Sequence, residues 1–131
     1  MKIRRATISD LPALMGLQER CHEPSLRDSE ADAAHDIATN EYLVACDGER
    51  VIGAAIGCCA PSGDWFHVYS VETDPRYQRR GVGHRLMVAL LALAPAGAKL
   101  SADAATLGGA AFLRKFSQIE VRNAAPDASL K

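Results

Sequence analysis

Val71-Glu72-Thr73-Asp74-Pro75-Arg76-Tyr77-Gln78-Arg79-Arg80-Gly81-Val82-Gly83-His84 lies a little past the middle of the chain. It starts at the end of a run rich in aromatic and β-branched residues and leads into apolar residues at helical spacing. It therefore joins a strand to an amphipathic helix, with two glycines at the junction. A helix start exposes unpaired N–H groups and a partial positive charge, and glycines let the backbone come close to a ligand. Arg76, Arg79, Arg80 and Arg85 crowd the same place and offer charge-assisted contacts to phosphate. On the residues alone the junction is either a phosphate cradle or a tight turn with solvated arginines. The dinucleotide fingerprint that follows a first strand, and the Gly-Lys-Ser/Thr ending of a P-loop, are both missing.

Outward from the junction, the chain reads as alternating short elements. Residues 3–7 form a first strand, and Ser9 or Asp10 caps a helix that runs toward Cys21, with Pro24 beyond its end. Residues 25–40 are polar and alanine-rich, with a sparse apolar stripe that suggests a second short helix. Residues 42–46 and 51–56 are strand-like and are joined through Asp47-Gly48, a hairpin signal, so they should be antiparallel neighbours. Residues 65–73 read as a central strand, and its period of two places His67, Tyr69, Val71 and Thr73 on one face, with Glu72 on the other. The helix after the junction stops at Pro95 and Gly97. A strand at 98–102, a short helix at 110–116 and a last strand at 118–122 follow. A chain of 131 residues suits one domain, taken here as 1–131.

The segment Val71-x-Thr73-x-Pro75-x-x-Gln78-Arg79-Arg80-Gly81-Val82-Gly83 resembles the acetyl-CoA signature of the GNAT acyltransferases, Gln/Arg-x-x-Gly-x-Gly/Ala. The order of elements resembles that family over nearly the whole chain. The resemblance implies an α/β (α+β) fold with a mixed, mostly antiparallel sheet flanked by helices, in the order β-α-α-β-β-β-α-β-α-β. It also implies an N-acetyltransferase that moves an acetyl group from acetyl-CoA, its cosubstrate, to a primary amine of a small molecule, peptide or protein. By the same resemblance the backbone of Arg79, Arg80, Gly81, Val82, Gly83 and His84, with Gln78, would hold the cofactor's pyrophosphate. Main-chain groups of Val71, Glu72 and Thr73 would bond the pantetheine arm.

Acyl transfer from a thioester needs a base for the amine proton, a donor to the developing oxyanion and a proton for the leaving thiolate. His67 is the first candidate base, since an imidazole titrates near neutrality; the other reading is a hydrogen-bonded structural histidine. Glu72 is the second candidate, or else a salt-bridged or solvated carboxylate. Tyr69 either lines the acceptor pocket or packs in the core. His22 and His35 lie in the polar helical region and His84 in the loop, without ligand spacing, so no metal is expected. Residues 110–118 resemble the family's later motif, Ala-x-x-Phe-Tyr-x-Lys-x-Gly-Phe, but Leu113 stands where the tyrosine would protonate the thiolate, and Ser117-Gln118 replace Gly-Phe. That departure leaves a catalytically reduced acyl-CoA-binding regulatory module as the alternative.

Composition narrows the setting. A hydrophobic fraction of 48% with 24% charged residues is that of an ordinary globular core. Fifteen basic against sixteen acidic residues, net charge -1, give no general field for nucleic acid or an anionic membrane. No apolar run suggests a signal peptide or a span. Four cysteines without CxxC spacing point to reduced thiols in a cytoplasmic protein, expected as a monomer or homodimer. Residues 21–40 carry Glu23, Asp28, Glu30, Asp32 and Asp36 against Arg20 and Arg27, a lean toward a cationic acceptor.

Overall fold

The computed structural model describes residues 1–104, 107–116 and 118–122. Its elements are β1 (Lys2–Arg5), α1 (Leu11–Cys21), α2 (Glu30–Thr39), β2 (Glu41–Asp47), β3 (Arg50–Cys59), β4 (Trp65–Thr73), α3 (Val82–Leu91), β5 (Lys99–Asp103), α4 (Leu107–Leu113) and β6 (Ile119–Arg122). Three short 3-10 turns lie between them. This is the order expected from the sequence. The six strands form one sheet in sequence order; β1 to β4 are antiparallel neighbours, while β4, β5 and β6 run parallel.

Local chemistry sets the ends of these elements. Ser29 caps α2 by accepting the Asp32 N–H at 3.0 Å. Arg4 on β1 donates two 2.8 Å bonds to Asp10, and Asp10 also accepts the Thr7 amide. The chain is thereby pinned where it leaves the sheet and enters α1. Gly48 turns the β2–β3 hairpin with φ 61°, as the Asp-Gly pair predicts.

Two apolar layers cover the sheet. One face packs Ile52, Ala55, Phe66 and Val68 against Leu86, Met87 and Leu90 of α3 and Leu113 of α4. The other packs Tyr42, Val44, Val51 and Ile56 against Leu14 and Leu17 of α1. The start of α3 sits close because β3 carries Gly53 opposite it. A Cβ there would lie 3.0 Å from Leu86 Cδ1, from Val82 Cγ1 and from the Glu72 carbonyl oxygen.

The central strand departs from the sequence reading in one respect. Ile56 pairs with Ser70 and Gly57 with Val68, so Tyr69 is an extra, bulged residue. Phe66 and Val68 face α3, and after the bulge Val71 packs into that same layer. Thr73 Oγ1 lies beside the start of α3. Glu72 meets α1 on the opposite side. His67 therefore does not share a face with Val71 and Thr73 as uninterrupted alternation predicts. It lies on the Glu72 side, because the inserted residue reverses the parity of the strand.

Candidate functional site

The strands β4 and β5 pair only from Trp65 to Val68, against Lys99 to Ala102. Beyond Val68 they part, and the far half of β4 keeps only its β3 neighbour. The Asp74 N–H bonds to the Ile52 carbonyl at 2.8 Å. Antiparallel alternation therefore turns the main-chain groups of Glu72 toward β3 and those of Val71 and Thr73 toward the gap. A cavity of about 760 Å3 opens there, with Tyr69, Ser70, Val71 and Glu72 on one wall, Asp103 and Ala104 on another, and Phe112 and Leu113 on a third. The α1–α2 region closes it with Gln18, His22, Asp28 and Asp36.

At the end of β4 the chain turns into α3 through a loop bent by two left-handed residues, Arg79 (φ 67°) and Gly81 (φ 80°). Positive φ is natural for glycine and uncommon for arginine. The first amide to close a helical turn is that of Arg85, onto the Gly81 carbonyl at 3.0 Å. The amides of Val82, Gly83 and His84 thus project from the helix end with no intrahelical acceptor. Gln78, Arg79, Arg80, Gly81 and His84 are exposed around them. Arg80 lies over the Tyr77 ring at 5.4 Å, and Tyr77 donates to Asp47 at 3.1 Å. The arrangement is a concave row of donors with positive charge beside it, suited to a pyrophosphate.

Arg76 is not free to join that set. Its guanidinium and amide bond Asp74, which also accepts Arg20 Nε at 2.7 Å. Asp74 is fully buried, and the Arg76 and Arg20 guanidiniums hold its carboxyl below the usual carboxylate range. This clamp ties the last turn of α1 to the start of the loop. Arg85 lines a shallow recess with Met1, Lys2, Ile3 and Val88, away from the cavity.

Glu72 is 7% exposed, and its carboxylate is paired with His22 Nε2. Burial pushes its proton affinity up, against the pull of the neighbouring imidazole. His67 is held differently: Nδ1 lies 2.6 Å from Ser101 Oγ and Nε2 lies 3.0 Å from Asp103 Oδ2. With both ring nitrogens engaged, His67 supports β5 and the Asp103 carboxylate at the cavity wall. Tyr69 is half exposed at the cavity's edge and meets the His67 ring edge-on at 5.4 Å. Leu113 is 5% exposed, and belongs both to the core and to the cavity wall. Ser117 lies outside the described residues.

Sequence reasoning took His22 only as a histidine without ligand spacing and Asp28 only as part of an acidic lean, and it passed over Asp74 and Asp103 as site residues. Only Asp74 carried a local signal, the Asp-Pro step that starts a turn; the others reach the site through tertiary packing.

A model of the acetyltransferase (GNAT) family matches residues 11–116, and the chain belongs to that family. Among solved structures the fold is similar to a GphF GNAT-like decarboxylase in complex with isobutyryl-CoA (24% identity, TM-score 0.67, covering 76% of this chain and 63% of that one). It is also similar to the ribosomal-protein-S18-alanine N-acetyltransferase from Escherichia coli (24%, 0.61, 70% and 57%). A third is the PaiA N-acetyltransferase from Thermoplasma acidophilum in complex with coenzyme A (15%, 0.62, 70% and 70%). The chain spans 63% and 57% of the length of the first two. No curated protein matches the sequence significantly. Among the described residues no helix is long and apolar enough to cross a membrane.

Proposed function

We propose that residues 1–131 form one acyltransferase domain that moves an acyl group, acetyl in the first instance, from a coenzyme A thioester to a primary amine. The observation that carries this reading is the gap between β4 and β5, where Val71 and the buried carboxylate of Glu72 line one cavity. The outward main chain of Val71 and Thr73 leads from there to the free amides at the start of α3. The residues fit the cosubstrate: the cradle from Gln78 to His84 would take the pyrophosphate, and the open edge of β4 would take the amide-bearing arm.

In the reaction the neutral amine attacks the thioester carbonyl, a C–N bond forms, the C–S bond breaks, and the amine loses a proton. Glu72 is the base in this reading. Burial gives it a higher proton affinity than an ordinary carboxylate, closer to the value a base needs near neutral pH. His22 orients it. Tyr69 stands at the mouth through which the acceptor enters. Leu113 has no proton to give, so the thiolate leaves unassisted by that position; a thiol of pKa about 8.5 is a fair leaving group at neutral pH. The four thiols stand free, which supports a cytoplasmic setting, with the protein working as a monomer or homodimer.

Calorimetry with acetyl-CoA and CoA, followed by mass-spectrometric detection of acyl transfer across an amine panel, tests the proposal. Binding with turnover supports it, and failure to bind CoA at millimolar concentration refutes it. Binding without turnover would establish the second reading, an acyl-CoA-binding module, which Leu113 favours.

A further inference from the structure

The acceptor side of the cavity is acidic in a way the acyl-transfer chemistry does not use. Four carboxylates line it from four separate places, Asp28 before α2, Asp36 on α2, Glu72 on β4 and Asp103 on β5, and among the described residues that line it none is a lysine or arginine. Two of the four have imidazole partners, Glu72 with His22 and Asp103 with His67. The other two are held only by neutral amides. Asp28 accepts Gln18 Nε2 at 3.1 Å while its own N–H donates to Gln18 Oε1 at 2.6 Å. Asp36 accepts Asn40 Nδ2 at 3.0 Å. These side-chain amides aim two carboxylates without neutralising them.

Burial first, then the charge of Asp28, pushes the proton affinity of Asp36 up, while the Asn40 amide and the nearby His35 pull it down, and Asp28 adds to the upward effect on Glu72. A second, independent sign lies in Tyr42. Its ring is 2% exposed and its hydroxyl has no hydrogen-bond partner, which is costly for a buried polar group. Burial first, then the charges of Glu72, Asp28 and Asp36, raise the proton affinity of that phenol, so the unpartnered oxygen lies behind the same acidic corner. The carboxylates only accept, and the phenol can accept as well as donate; among the described residues the corner has no multivalent cationic donor. An alkylammonium group supplies one positive charge and three N–H donors.

We propose that the acceptor is an aliphatic di- or polyamine, whose non-reacting ammonium is held by Asp28 and Asp36 while its other amine meets Glu72. This rests on the acyl-transfer reading above and names its substrate class. A monoamine would leave the corner unneutralised. An amino acid or an acidic peptide would bring a carboxylate among four others.

The test is acetyl transfer from acetyl-CoA to spermidine, 1,4-diaminobutane, n-butylamine and glycine, followed by mass spectrometry, together with calorimetry of spermidine alone. The expected kcat/KM for the two polyamines exceeds that for n-butylamine by about tenfold or more, one charge-assisted contact's worth. It should also fall more steeply with added salt. Asp36→Asn and Asp28→Asn, which keep shape and remove charge, should each shrink the ratio by about tenfold through a higher KM for spermidine. Equal turnover of n-butylamine and spermidine would overturn the proposal, as would a ratio that survives both substitutions in variants of parental melting temperature. Calorimetry separates the two readings. Salt-sensitive spermidine binding without any CoA binding would sink acyl transfer and keep the cation site, while CoA binding with no detectable spermidine binding would sink the cation site alone.

Discussion

Gly53→Ala tests whether the start of α3 must lie hard against the sheet for the cradle to work. The new methyl would sit 3.0 Å from the Glu72 carbonyl oxygen, from Leu86 Cδ1 and from Val82 Cγ1. Ordinary carbon contacts lie at about 3.5–4.0 Å, so roughly 0.5–1 Å must be found. The Glu72 carbonyl belongs to a strand in the middle of the sheet and cannot yield, which leaves the helix to move. Overpacking of this kind costs about 1–3 kcal/mol, or roughly 4–12 °C in melting temperature for a domain of this size. Val82 is the first residue of α3, so the displacement falls on the amides that would face pyrophosphate. Losing one charge-assisted bond there should weaken CoA binding by about 10–100-fold. Gly57→Ala is the control. Its methyl would lie 2.4 Å from Phe66 Cζ, near the beginning of β4, at the opposite end of the strand from the cradle. That variant should lose stability and keep CoA affinity per folded molecule. Calorimetric affinities and melting curves of both variants give the answer. Parental CoA affinity in Gly53→Ala, or equal weakening in Gly57→Ala, would refute the argument that the helix start is positioned by this glycine.

Three other outcomes are expected. Glu72→Gln should lower turnover about 10²–10⁴-fold with CoA affinity retained. In the parent, kcat/KM should rise with pH along a limb set by a carboxyl above the usual carboxylate range, because burial raises it; parental turnover in the variant would exclude Glu72 as base. Asp74→Asn removes the charge from the buried partner of two partly exposed arginines and should cost about 1–2 kcal/mol in denaturant titration through weakened hydrogen bonds, while a cost within error would show the clamp to be incidental. Asp10 is held down at about 2 by Arg4, below the roughly 3.9 of an unfolded chain. Its contribution to stability is therefore present above about pH 4 and lost as pH falls toward 2. Melting temperature should drop less steeply over that window in Asp10→Asn than in the parent.

The elements and their order were legible because each rests on a local signal. Asp47-Gly48 specifies the hairpin, Asp10 the start of α1, and the glycine junction the break between β4 and α3. The exposed amides at the start of α3 were legible for the same reason, since they are the main chain of consecutive residues. The catalytic candidates were less so. His67 and Glu72 were placed on opposite faces by counting twos along β4, and nothing in Tyr69 itself, an aromatic with good strand propensity, announces a bulge. The bulge shows only in the pairing with β3, where Ile56 and Gly57 meet Ser70 and Val68, and that pairing is information from a partner strand.

The consequences of the bulge reach further than a miscounted face. An uninterrupted β4 would turn Glu72 toward α3 and the apolar layer of Leu86 and Met87, where an ionised carboxylate has no partner and would cost several kcal/mol. With one inserted residue it meets His22 instead. The same insertion comes where β4 stops pairing with β5, so a single irregularity accompanies both the opening of the cavity and the delivery of its carboxylate. His67, one turn of the pleat earlier, stays inside the paired region, locked between Ser101 and Asp103. The different settings of the two candidate bases, an imidazole inside the paired region and a carboxylate at the cavity, therefore follow from which side of Tyr69 each residue occupies. Deleting Tyr69, which restores regular alternation, should abolish turnover even if the shortened chain folds, because Glu72 would then face the wrong layer. A folded deletion variant with parental activity, measured by the same acyl-transfer assay, would show that the bulge is dispensable and that the base lies elsewhere.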